Sequence, residues 1–178
     1  MGRRSLPLAQ VYRLLEPGPV VLVTTARAGR ANVMAMSWHT MMEFEPPLVG
    51  CVLSEANYSF GLLRATRECA INVPGAEMSN QVVACGNTSG RDVDKFSEFG
   101  LATMPAGVIA APLLRDCIAN LECRVVDARL VRKYNFFVLE VVKAWIDPRR
   151  RDAPTLHHRG MGRFMVAGRT IRLPSRMK

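Results

Sequence analysis

Residues 19–53 read PVVLVTTARAGRANVMAMSWHTMMEFEPPLVGCVL, and the fold follows from how that stretch divides. Residues 19–26, PVVLVTTA, are β-branched and apolar, the composition of a strand. Arg27-Ala28-Gly29-Arg30 reads as a hairpin turn. Residues 31–38, ANVMAMSW, return as a second strand, and Pro46-Pro47 precede a third, LVGCVL, at 48–53.

Beyond that stretch the period changes. In SEANYSFGLLRATRE, 54–68, apolar residues at 60, 62 and 63 predict a short helix beginning near Asn57, a favoured cap residue. ECAINVP, 68–74, is a fourth strand. Two short helices are expected at 77–84 and 92–98, around the turn GNTSG. ANLECRVVDARLV, 119–131, alternates, with Leu121, Cys123 and Val125 on one face. NFFVLEVVKAWI, 135–146, is its apolar partner across a turn at Arg132-Lys133-Tyr134. At the start, residues 8–15 predict a short helix stopped by Glu-Pro-Gly-Pro. At the end, GRFMVAGRTIRL, 162–173, predicts a hairpin turning at Ala167-Gly168. Antiparallel strands with a few short helices between them imply an α+β protein built on a β-barrel, since closing the sheet removes exposed edges. The element order is not a βαβ series and no G-x-G-x-x-G occurs, which argues against a Rossmann fold.

Composition narrows the function classes. The 178 residues fit a single domain over 1–178, with 49% apolar and 22% charged residues, enough to bury a core without staples. No apolar run approaches the roughly 20 residues that span a bilayer. The polar residues within MGRRSLPLAQVYRLLEPG argue against a secretory signal, so the expectation is a soluble, cytoplasmic protein with no membrane partner. The formal charge of +9 could mean a nucleic-acid partner. However, the basic residues are dispersed and are not interleaved with aromatics, so none is expected; attraction of phosphorylated small molecules explains the charge equally well. Five cysteines without a Cys-x-x-Cys suggest neither a disulfide framework nor a zinc ribbon. Cys51, Cys69 and Cys123 read as small buried hydrophobes. Cys85 is the best candidate for an accessible thiol, although a structural role is the leading reading. The adjacent His157 and His158 point to opposite faces of a strand, and no metal site is expected.

No nucleophile, Walker or metalloprotease motif appears. What stands out is Asn32-Val-Met-Ala-Met-Ser-Trp38, followed some twenty residues on by Ser54-Glu-Ala-Asn-Tyr-Ser59. Small residues such as Ala35 and Ser37 let a flat ring approach the strand backbone, whose amides can bond ring carbonyls and nitrogens. The 54–59 segment offers hydroxyls and free amides at a helix N-terminus, where the macrodipole favours an anion. By itself the pattern equally fits an ordinary core strand followed by a capped helix, which is the simpler reading.

GRANVMAMSWHTMMEFEPPLVGCVLSEANYSFGLLRATRECAINVP, 29–74, resembles the core of the flavin reductase-like, FMN-binding split-barrel family. SGRDVDKF, 89–96, and LHHRGMGRFMVAG, 156–168, are similar to its flavoredoxin-type branch. The resemblance spans about 20–170. It implies a mainly antiparallel split β-barrel with short peripheral helices, a homodimer, and one FMN per subunit near the dimer interface. It also implies a flavin reductase that transfers hydride from NADH or NADPH to FMN and on to an acceptor. The alternatives are a flavoredoxin-like electron carrier and a ferric-chelate reductase, with a redox protein or ferric complex as acceptor.

Carried onto this chain, the resemblance places Asn32 and Trp38 beside the FMN ring, with Met34, Ala35, Met36 and Ser37 facing it through their backbone. Ser59 should bond the phosphate, helped by the amides around Asn57 and Tyr58, with Ser54 as a second hydroxyl. Lys95 should supply positive charge to the phosphate. Tyr134 stands where histidine is expected in some relatives, which puts a proton relay there in doubt. Phe164 would cover the cofactor from the C-terminal hairpin. His39, beside Trp38, is tempting as a proton donor, but a hydrogen-bonded structural histidine is the commoner case.

Overall fold

The computed structural model describes residues 4–11 and 18–174. Seven strands of one antiparallel sheet carry the fold: β2 (Val21–Arg27), β3 (Arg30–Met36), β4 (His39–Phe44), β5 (Pro47–Val52), β6 (Glu68–Val73), β9 (Ala119–Asp127) and β10 (Phe136–Ile146). They run in the order β3-β2-β6-β9-β10-β5-β4, and β1 (Arg4–Ser5) adds to the far end of β10. The two end strands of this path, β3 and β4, are consecutive in sequence and joined only by Ser37 and Trp38. Laid flat, six strand spacings would separate them by about 29 Å, at roughly 4.8 Å each. The link can reach only about 10 Å. The sheet therefore curls into a barrel whose first and last strands meet without a ladder between them, a barrel split along the β3–β4 seam.

The β2–β3 hairpin closes through Ala28 (φ 50°) and Gly29 (φ 76°), both in the left-handed region that a two-residue primed turn needs. Inside the barrel, Val21, Val23, Ile71, Leu121, Cys123 and Leu139 pack with Phe60 and Leu63 of α1 (Tyr58–Thr66). The Phe60 and Phe137 rings meet edge to face at 5.6 Å. The opposite face of β2 and β3 is also covered. There Leu22 and Val33 pack against Val82 and Cys85 of α2 (Ser79–Asn87) and against Leu101 and Leu114. Burial on both faces is why 20–23 reads as an unbroken apolar run. Among the described residues no helix is long and apolar enough to cross a membrane.

Several expectations need correction. Of the helix expected over 8–15, the described part holds a 3₁₀ turn at Leu8–Gln10, and residues 12–17 lie outside the described residues. HTMMEF, which carries no alternation, forms the additional strand β4. The turn at 132–134 is a helical turn, α4 (Val131–Tyr134), after α3 (Lys95–Glu98), and it ends on left-handed Asn135. The C-terminal hairpin pairs β11 (Leu156–His158) with β12 (Phe164–Val166), so it turns through 159–163 rather than at Ala167-Gly168. Two-residue strands β7 (Thr103–Met104) and β8 (Leu113–Leu114) stiffen the long loop before β9. That loop covers the face of β9 whose polar residues suggested solvent. Glu122 is fully buried and accepts from the amides of Gly107 and Val108 and from Trp145 Nε1 at 2.7–2.8 Å. Asn120 Nδ2 donates to Asn72 Oδ1 (2.6 Å) and to the Leu114 carbonyl (2.9 Å).

Candidate functional site

The seam leaves a groove along β3. Ala35 lines all three parts of it: a polar end, a middle and a side chamber. As a terminal strand, β3 is paired only to β2, so half of its backbone groups point away from the sheet. Lys95 Nζ donates to the Val33 carbonyl at 2.9 Å, which fixes the outward-pointing set. Period-two alternation gives Ala35 the same orientation, with its N–H and C=O toward the groove.

The polar end, about 200 Å³, is bounded by Asn32, the start of α1 and the loop after α2. Ser59 is 1% exposed and Asn32 4%. Asn32 Nδ2 donates to Ser59 Oγ at 2.8 Å, and Thr25 Oγ1 donates to the same oxygen at 3.5 Å. A serine hydroxyl has two acceptor sites and one donor. With both acceptor sites engaged, the Ser59 proton is the group left to donate. Lys95, 4% exposed, gives two of its three N–H bonds to carbonyls, Val33 at 2.9 Å and Cys85 at 2.8 Å. Desolvation pulls its pKa below the ordinary lysine value, opposed by the Cys85 thiol. The Tyr58 and Ser59 amides, ahead of the Phe60 bond to the Asn57 carbonyl, add donors at the start of α1. No carboxylate lines this cavity. Buried donors and a cation facing a space lined by no carboxylate make an anion site, and one phosphate group fits that chemistry.

Gly90 is required here. A Cβ at that position would fall on Asn32 Oδ1 and push the amide off Ser59. At Gly86 a Cβ would come 3.7 Å from that of Ala35, so the glycine keeps the wall opposite β3 thin.

The middle of the groove, about 490 Å³, is lined by Met34 to Trp38, Val52, Ser54, Asn57 and residues 133–135. That size suits a small-molecule site, for which roughly 300–1,000 Å³ is usual. Trp38 is 71% exposed and so is no core residue, and Tyr134 is 55% exposed with the Lys133 ammonium 5.1 Å from its ring centre. The side chamber is lined by Val20, Val82 and Phe164, with His158 resting 5.2 Å from the Phe164 ring.

The structure thus brings Asn32, Met34, Ala35, Met36, Ser37, Trp38, Ser54, Asn57, Tyr58, Ser59, Lys95, Tyr134 and Phe164 around one continuous groove. The detail differs at Asn57 and Ser54, whereas His39 and Cys85 take the structural roles that led for each. Asn57 occupies the cap position of α1, but its side chain makes no capping bond; its carbonyl accepts from Phe60 N instead. Ser54 Oγ accepts from Ala56 N at 3.3 Å, the turn-forming role. His39 faces the Pro19 carbonyl, with Nε2 2.7 Å away, and burial lowers its pKa; it lies off the groove as a neutral structural ring. Cys85 is buried, and desolvation raises its thiol to about 11, so it is not an accessible nucleophile. Sequence reading missed Thr25, which looks like any strand residue, and Gly86, Thr88 and Gly90, whose turn composition concealed a wall of the cavity.

The family model for the flavin reductase like domain matches residues 13–165. The chain is 33% identical over 180 residues to the uncharacterized protein YddH of Escherichia coli, covering 93% of this chain and 95% of that one. The crystal structure of an FMN-binding domain of a flavin reductases-like enzyme from Shewanella baltica superposes with a TM-score of 0.92 at 26% identity, over 97% of this chain and 98% of that one. The reductase component of the 4-nitrophenol 4-monooxygenase/4-nitrocatechol 2-monooxygenase of Rhodococcus opacus is 28% identical over 125 residues, 70% of this chain and 64% of its own.

Proposed function

The chain belongs to the flavin reductase like family, and from that premise we propose that it holds FMN in the β3 groove and works as an NADH- or NADPH-dependent flavin reductase. The observation that carries this reading is the Ser59 hydroxyl, buried with both acceptor sites occupied beside a lysine with one N–H uncommitted. Such a pair is poised to donate to the FMN phosphate. Bound there, FMN would supply the hydride-accepting centre that takes two electrons from the nicotinamide and passes them to a second flavin or another acceptor.

The residues of the chain bind and orient. The Ala35 N–H, aimed into the groove, is placed to meet a ring heteroatom and to favour negative charge there by a fixed dipole. Met34, Met36 and Gly86 line the groove beside Ala35. Trp38 and Tyr134 stand exposed at the open side, where a nicotinamide must enter. No side-chain nucleophile is needed, which agrees with the inert state of Cys85. The relatives from Shewanella and Rhodococcus support the reading by their flavin and reductase descriptions. The same proposal includes a homodimer, supported by the exposed apolar side chains of Trp38 and Met42 at the end strand β4.

The test is anaerobic mixing of the FMN-loaded protein with NADH and, separately, NADPH. Rapid bleaching of the flavin absorbance with either is expected. No bleaching with both would reject direct reduction. Fast exchange with a redox protein under the same conditions would then favour the electron-carrier role, for which the exposure of Trp38 and Tyr134 is also suited.

A further inference from the structure

One end of the barrel carries a cavity that shares no lining residue with the β3 groove. It measures about 260 Å³ and lies between the last turn of α1, the end of β9 and α4. Leu63, Val125, Val131 and Phe137 give it an apolar floor, each 6% exposed or less. The Phe137 ring is held there by its edge-to-face contact with Phe60. Three exposed arginines, Arg64, Arg67 and Arg132, stand at the mouth, and no carboxylate lines the cavity.

The fold accounts for these charges only in part. Arg64, in the last turn of α1, gains from the helix macrodipole. Arg67 ends α1 in the left-handed region (φ 59°), where glycine would sit without strain. Its Nη2 donates to the Val125 carbonyl at 2.7 Å, one bond from a group with five N–H donors. Among the described residues the Arg64 and Arg132 side chains have no hydrogen-bond or ion-pair partner. The acids close by in sequence are already engaged, Asp127 with Arg129 at 2.6 Å and Glu68 with Arg124 at 3.6 Å. Like charges around one opening repel, a cost that a bound anion would remove.

Guanidinium forks match a carboxylate in geometry and charge. The buried floor favours an apolar body attached to it. The cavity is smaller than the roughly 300–1,000 Å³ usual for drug-sized ligands, so its occupant is compact. We propose that this cavity is a second small-molecule site, for a compact carboxylate with an apolar body, an aryl or short branched acid. Its carboxylate lies on the arginines and its body on Leu63 and Phe137. The α4 turn presents Val131 and Arg132 to this cavity and Lys133 and Tyr134 to the middle of the β3 groove, so the occupant touches an element that also lines the groove. The site stands apart from the flavin reading, which its failure would leave intact.

Benzoate is the probe, titrated calorimetrically into the full chain at one fixed ionic strength, with and without excess FMN. One equivalent should bind with a Kd below about 1 mM, a modest demand for so small a ligand, and FMN should not displace it. Benzamide, which keeps the ring without the charge, and acetate, which keeps the charge without the ring, should each bind about tenfold more weakly or worse. The Arg64→Ala/Arg132→Ala double variant should lose about tenfold or more in benzoate affinity while its FMN affinity changes by less than about twofold. Arg67 is kept because it holds the Val125 carbonyl. Ala128→Phe, which fills the cavity from its wall, should abolish benzoate binding. Thermal melts confirm that each variant is folded, and the double variant, altered only at exposed positions, decides the matter if Ala128→Phe is not. Displacement of benzoate by FMN would put the probe in the β3 groove and overturn the proposal. So would benzamide binding as tightly as benzoate, unchanged benzoate affinity in the double variant, or no saturable binding to the native chain.

Discussion

Asn32 reaches from β3 to place its Nδ2 2.8 Å from the hydroxyl of Ser59 on α1, and this bond fixes the direction in which that hydroxyl can donate. Ser59→Ala therefore removes two things: a donor for the phosphate and the acceptor for a buried amide. Hydrogen bonds to charged groups are worth roughly 1.5–3 kcal/mol, so FMN affinity should fall about tenfold or more. The stranded Asn32 amide should cost about 1–2 kcal/mol of stability without flavin. Fluorescence titration and urea unfolding read the two effects separately. Unchanged FMN affinity would place the phosphate elsewhere.

The two glycines of the cavity wall should shift stability in opposite directions when replaced by alanine. Gly86 lies in α2 with ordinary space for a methyl group, so Gly86→Ala should raise stability by up to about 1 kcal/mol through helix propensity. It should also thin the slot opposite Ala35 and weaken flavin binding. Gly90→Ala instead puts a Cβ on Asn32 Oδ1, so it should lower both stability and affinity. Thermal melts of the apo variants beside flavin titrations give the signs. Tighter FMN binding by Gly86→Ala would show that the ring does not lie against that wall.

Lys95 gives the site a pH dependence whose sign can be worked out. Its pKa in the folded chain lies below the ordinary lysine value because burial disfavours the charged form. Between that lowered value and the unfolded one, the unfolded chain binds more protons, so stability without ligand rises with pH in that window. Phosphate binding needs the ammonium, so FMN affinity should fall over the same alkaline window, starting below the range of a free lysine. Lys95→Met keeps the stem, should weaken FMN at neutral pH and should flatten this alkaline fall. Dissociation constants for both proteins from neutral to alkaline pH provide the check. A parallel fall in the variant would assign the titration to another group.

The parts of this molecule legible in the sequence are those where a local signal and the tertiary outcome agree. The Arg27–Arg30 turn, the 119–127 and 136–146 strands and the helix after Asn57 follow from turn chemistry, periodicity and capping preference. Residues 39–44 did not announce a strand, because β4 is held by pairing with β5 and its outward residues carry no alternation. Glu122 and Asn120 alternate with apolar residues, and nothing local signals that the upstream loop will cover them, its Gly107 and Val108 amides donating to Glu122 and its Leu114 carbonyl accepting from Asn120. At the site, the residue types were readable but not their hydrogen-bond roles. Lys95 was expected to serve an anion alone, yet it also ties α2 to β3 through two carbonyls, a task visible only once the chain has folded.

The end strand β4 bears on assembly. Strands at the end of a sheet expose backbone donors and acceptors to any other strand, and proteins usually protect them with charge or cover. Here Met42 is 48% exposed on β4 and Trp38 stands exposed at its start. A second copy of the chain would cover that surface and border the groove at its Trp38 edge, leaving the Tyr134 side open to the nicotinamide, because Trp38 lines the groove's middle. The native protein should therefore sediment as a dimer. Met42→Arg would place a desolvated charge in the contact, at a cost of several kcal/mol. It should shift the protein to monomer and weaken FMN binding with it, although Met42 lines none of the three parts of the groove. Sedimentation equilibrium with and without FMN measures both. A native monomer, or a Met42→Arg dimer with unchanged affinity, would separate the β4 surface from assembly and leave the groove to each chain alone.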